Sequence, residues 1–201
     1  MTIYYGSNVA NGTLSTACTA SSTTGGVEAS VTTTVSGGNH VCEIQSQAAS
    51  IASVTAIPSP TGKGWVTTPP GAGSFATGNW SASCTFQFGS FNSGNTVTLR
   101  FFQYTGSYIS IGQIVATITT TAKTTYSFAA TSLSGVTFGS TDLLYIDAWL
   151  TDSSGTGGDN PIVFVSNSAT QGVANDMQIT TSTFTGGGHL LICDGYGGVF
   201  S

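Results

Sequence analysis

Residues 78–88 read Gly-Asn-Trp-Ser-Ala-Ser-Cys-Thr-Phe-Gln-Phe with an unbroken period of two. Trp80, Ala82, Cys84, Phe86 and Phe88 fall on one side, and Asn79, Ser81, Ser83, Thr85 and Gln87 on the other. Successive side chains point to opposite faces of a strand, so this spacing predicts a half-buried β-strand whose apolar row lines a core. On a helix the same residues would be scattered around the whole circumference. The same texture returns in 96–106, 108–122, 124–133, 135–139, 142–150, 161–168 and 175–184, with Gly, Ser, Asn or Asp between the runs, and a short last strand is expected in the Gly-rich 186–200. Short alternating strands at such intervals predict an all-β antiparallel sandwich or jelly roll. Gly112 interrupts the 108–122 run and marks an expected bulge.

Composition supports the strand reading. Charged residues make up 5% of the chain, and Thr and Gly are spread throughout it. β-Branched Thr and flexible Gly disfavour helices, and little Glu, Lys or Arg is present to clothe a helix surface. Three cations, Lys63, Arg100 and Lys123, against a net charge of -5 leave no basic patch for phosphates, so nucleic acid is not an expected partner. No apolar run reaches membrane-spanning length. The opening Met-Thr-Ile-Tyr-Tyr-Gly lacks the basic and apolar regions of a secretion signal, which reads either as a chain made and folded in a cytosol or as one in which Met1 stands in place of a cleaved signal.

Residues 1–62 contain short β-like pieces at 2–5, 27–35 and 40–47, with no aromatic residue between Tyr5 and Trp65. Such a segment can hardly fill a core alone, so it is expected to be an extended arm or small β subdomain that packs on the main body or on a neighbouring subunit. Four of the five prolines lie in 57–75, where the loss of ladder donors predicts a boundary. The sandwich proper is then expected over 63–201.

Candidate chemistry is sparse. His40 and His189 sit in strand-like or Gly-rich settings without a nucleophile elbow, which argues against a hydrolytic triad. No cofactor is expected. Of the eight acids, Asp147 stands out, set between Tyr145 and Trp149 on the face opposite Leu144, Ile146, Ala148 and Leu150. No second acid for glycoside hydrolysis is evident beside it. On the neighbouring run, Arg100, Phe102 and Tyr104 share a face, so if the two strands pair, Arg100 would meet Asp147 within an aromatic frame. That constellation fits a sugar-stacking platform or a subunit contact. The competing reading is a semi-buried ion pair that sets strand register and holds no ligand. Asp152, Asp159 and Asn160 in a Gly/Ser loop form a weak calcium candidate. Cys84 belongs to the core row as a small hydrophobe, and Cys18 and Cys42 share the N-terminal segment as a possible disulfide, though four cysteines allow three connectivities.

Taken in succession, Gly-Trp-Val-Thr-Thr-Pro-Pro at 64–70, the run 78–106 and the run 111–150 resemble jelly-roll structural proteins of tailed bacteriophages. The resemblance implies a non-enzymatic virion component, a head-decoration or tail-associated protein that is commonly homo-oligomeric and partners other virion proteins. It implies no catalytic or metal residue. A trimer is one expected form, and assembly in the host cytoplasm one expected location. The rival expectations are a carbohydrate-binding module or adhesin using Tyr145, Asp147 and Trp149, and an extracellular filament subunit built by strand donation.

Overall fold

The computed structural model describes residues 1–5, 32–35, 39–48, 54, 64–66, 71–89, 94–153, 162–165 and 177–186. All regular structure among them is β apart from a single helical-turn residue at Val54. The alternating run at 78–88 becomes β7 (Gly78–Gln87), the central strand of the larger sheet. One edge of β7 pairs with β10 (Thr124–Leu133). Its other edge is shared end to end by β14 (Gln178–Thr181) and β13 (Ile162–Val165). Beyond β14 lies β1 (Thr2–Tyr5), and beyond β13 lie β3 (Asn39–Glu43) and then β2 (Thr32–Val35).

The second sheet is built around β12 (Leu143–Asp152) and β8 (Thr96–Tyr104), with β9 (Tyr108–Thr117) beyond β8. The far edge of β12 is shared by β4 (Gln45–Ala48), which runs parallel to it, and β5 (Gly64–Val66), which runs antiparallel. The two spines are therefore β3-β13-β7-β10 and β5-β12-β8-β9. The chain crosses between them at β3 to β5, β5 to β7, β7 to β8, β9 to β10, β10 to β12 and β12 to β13. Two four-stranded antiparallel spines interleaved in this way form a jelly-roll β-sandwich. A three-stranded sheet of β11 (Val136–Phe138), β6 (Gly73–Phe75) and β15 (Phe184–Gly186) sets Phe75 against Trp80, with Phe138 and Phe184 packed on Phe75, and adds to the core.

The core follows from the alternation. Trp80, Ala82, Cys84 and Phe86 of one sheet face Val97, Leu99, Phe101, Leu144, Ile146, Ala148 and Leu150 of the other, all buried. Trp80 meets Phe101 edge-on at 4.8 Å between ring centroids. Each large side chain withdrawn in this way contributes about 1.5–3 kcal/mol relative to exposure. The expected bulge is present: Phe101 stands opposite Gly112 and Phe102 opposite Ser110, so Ile111 is the extra residue. Gly112 has φ +151°, and a Cβ there would lie 2.7 Å from a methyl of Leu133, so only glycine lets β10 close over this point.

Among the described residues of 1–62, β1, β3 and β4 are hydrogen-bonded into the two main sheets beside strands from beyond residue 63. Within the proline-rich 57–75 lie the two short strands β5 and β6. Three-residue strands are too short to show a period, and their placement comes from tertiary partners such as Trp65 in the core. The last strand expected in 186–200 lies almost wholly outside the described residues.

Candidate functional site

β8 and β12 pair in a register that sets Asp147 directly opposite Arg100, Tyr145 opposite Phe102 and Leu143 opposite Tyr104. Alternation puts these residues on the sheet face turned away from the main core. Arg100 meets the carboxylate as a fork: Nε donates to Oδ1 at 2.9 Å and Nη2 to Oδ2 at 2.5 Å. Trp149 Nε1 donates to the same Oδ2 at 3.1 Å. The guanidinium lies between two aromatic rings, 5.1 Å from the Phe102 centroid and 5.6 Å from that of Trp149. Its Nη1 donates to the Val54 carbonyl at 3.1 Å.

The pair is therefore matched in charge, donors and shape, as a planar guanidinium and a carboxylate can be. Burial pushes the Asp147 carboxyl above its ordinary value, and the hydrogen bonds and charge of Arg100, with the Trp149 donor, pull against that. Withdrawing a carboxylate and a guanidinium from water costs several kcal/mol per ion, which only near-complete pairing offsets.

Here the structure departs from the expectation of an open platform. Asp147 and Tyr145 are 0% exposed, Arg100 4% and Trp149 7%, so no ring face among them is presented for a sugar to stack on. β4 and β5 lie on the far edge of β12, and the Val54 carbonyl sits on Arg100. Gly64 stands opposite Asp147, where a Cβ would run into the Ile146 carbonyl and the Tyr145 hydroxyl, so no side chain fits. An antiparallel sheet commonly leaves one face to water. In β12 every residue from Leu143 to Leu150 is buried, because this sheet is covered on both sides.

The aromatic members form a second small core. Phe102, Leu143 and Tyr145 are buried together, with Val66, Tyr104 and Tyr108 packed against them. Tyr108 stands 5.1 Å from Tyr145 and 4.9 Å from Tyr104 between ring centroids. Tyr104 stays half-buried at the rim. Sequence reasoning missed Tyr108 and Val54. The spacing Tyr104-Thr-Gly-Ser-Tyr108 around a tight turn was a usable signal for the former. Val54 acts through a main-chain oxygen 46 residues from Arg100 and left no signal in the sequence.

The remaining candidates do not gather here. Asp152 is buried at the end of β12 opposite Ala48, whereas Asp159 and Asn160 lie outside the described residues. Among the described residues no three His, Cys, Asp or Glu side chains cluster as metal ligands would. His40 lies in β3 opposite Val165, and His189 is outside the described residues. Cys84 is a buried free thiol in the core. Cys18 lies outside the described residues and only the backbone of Cys42 is described, so their pairing falls outside them as well.

No protein-family model matches the sequence, and no curated protein matches it. Among solved structures, one described as "Structure of Eiger TNF from S. frugiperda" is similar at a TM-score of 0.31 and 11% identity, over 75% of this chain and 89% of that chain. At that level the likeness carries no functional implication.

Proposed function

We propose that the chain is a non-enzymatic structural subunit that assembles with copies of itself on a particle. In the form its sequence resemblance suggests, it is a capsid-decoration or tail-surface protein that stabilises the virion of a tailed phage. The observation that carries this reading is the closed Arg100–Asp147 centre: the most chemically distinctive side chains described are consumed in holding the sheet together. A fork of this kind ties β8 to β12 and to the segment at Val54, which suits a subunit whose task is mechanical. Placement of β1 supports assembly through whole faces over donation of the N-terminal strand. It is laddered onto β14 of its own chain, and the Met1 ammonium donates to Thr183 Oγ1 at 2.7 Å.

Light scattering on the purified chain, followed by electron microscopy, tests the reading. A closed homo-oligomer of defined mass is expected, and a strict monomer at every concentration would overturn it. Portal, terminase or tail genes flanking the coding sequence would separate a virion component from a cell-surface one.

A further inference from the structure

We infer that β4 is a latch: a strand that leaves and rejoins the β12 edge while the rest of the second sheet stays folded, with the buried amide of Gln47 setting how readily it lifts. β4 is four residues long and stands at the end of its sheet, so among the described residues its other edge pairs with no strand. It runs parallel to β12, whereas β5, β8 and β9 are all joined antiparallel. A parallel pair is slightly the weaker per residue. On β12 this pairing covers only Trp149 to Asp152.

The weak point of the short ladder is Gln47. Its side chain is buried, Nε2 donates to Thr151 Oγ1 at 2.9 Å, and Oε1 meets no donor. Among the described residues Oε1 is the only buried side-chain nitrogen or oxygen without a partner. Turning the amide over would give Oε1 the Thr151 hydroxyl and leave Nε2 without an acceptor, so one orphan would replace another. An acceptor sealed from water without a donor is penalised in the closed state and is hydrated again as soon as the strand lifts. The Arg100–Asp147 fork on the same face has no such defect, because both carboxylate oxygens are bonded. The latch is held on either side. Ile44, immediately before β4, is buried in the main core, and β3 before it is laddered to β13 of the other sheet. Val54, beyond β4, is buried with its carbonyl on Arg100 Nη1. Release therefore unfastens a stretch between two anchored points and leaves the β12 edge from Trp149 to Asp152 unpaired, with no need for the fork to break. The inference stands whether or not the chain assembles with copies of itself.

Native-state hydrogen exchange of the full chain, followed amide by amide in NMR at low urea, tests it. The amides that join β4 to β12 are expected to exchange on the order of a hundredfold or more faster than those that join β8 to β12, with little dependence on urea, because a local opening exposes little surface. Gln47→Met keeps the length of the side chain and has no amide to desolvate, so exchange of the β4 amides should slow on the order of tenfold. Gln87→Met, at an exposed position on β7, should leave it unchanged. Exchange of β4 at the rate and urea slope of the β8–β12 ladder would overturn the latch. Fast β4 exchange that Gln47→Met does not slow would overturn the part given to the Gln47 amide. A Gln47→Met chain less stable than the parent, or unable to fold, would overturn it as well, because the closed strand would then depend on the amide.

Discussion

Arg100 is the residue on which most of the second sheet's outer face depends, because it contacts Asp147, Phe102, Trp149 and Val54 at once. Removing one member of a buried pair leaves the other uncompensated, so Arg100→Met is expected to lose about 3–5 kcal/mol at neutral pH in urea unfolding. Without Arg100, only the Trp149 donor opposes burial, and the folded-state value of Asp147 rises further above that of the unfolded chain. A raised folded value contributes stability at low pH that is lost as pH rises through it. The deficit of Arg100→Met should therefore shrink on acidification, whereas the double variant Arg100→Met with Asp147→Leu should sit nearer the parent with little such pH dependence. Burial likewise pushes the Cys84 thiol far above its ordinary range, against a backbone hydrogen bond involving Gln178. With the thiol 0% exposed, peptide mapping after alkylation of the native protein should find Cys84 unmodified, and modification only after unfolding.

At the level of elements, the alternating strands hold the same residues to the core that their period indicates. Trp80, Ala82, Cys84 and Phe86 in β7, and Leu144, Ile146, Ala148 and Leu150 in β12, are examples. What periodicity left open was the opposite row of β12, because alternation separates two faces without saying what covers the second. Burial of Arg100, Asp147 and Trp149, with the Val54 carbonyl on Arg100, shows that the second row is covered as well. Bulges belong to the same scale. Gly112→Ala meets both an unfavourable φ and the Leu133 methyl, so a loss of about 1–3 kcal/mol is expected in thermal unfolding, larger than for alanine at Gly106, where a Cβ meets nothing within 4 Å.

For the whole molecule, the described strands of residues 1–62 are part of the two main sheets. A fragment of residues 63–201 loses β1, β2, β3 and β4, and with them the strands outside β14 and β13 and one of the two on the far edge of β12. It would expose apolar positions such as those that Ile44 covers. That fragment is expected to be insoluble or to lack dispersed amide signals in NMR, and a well-dispersed spectrum would restore the arm reading. The sequence by itself determined the β class, the main strands and their core faces, the bulge at Gly112 and the candidacy of Arg100 for Asp147. All of these are written in local periodicity and in the rarity of charge. Only the tertiary structure decided that the pair is closed over and that β1, β2, β3 and β4 are laddered into the sheets. Those outcomes depend on partners far apart in sequence, such as Val54 with Arg100 and Cys42 with Val163, and no local pattern carries such pairings.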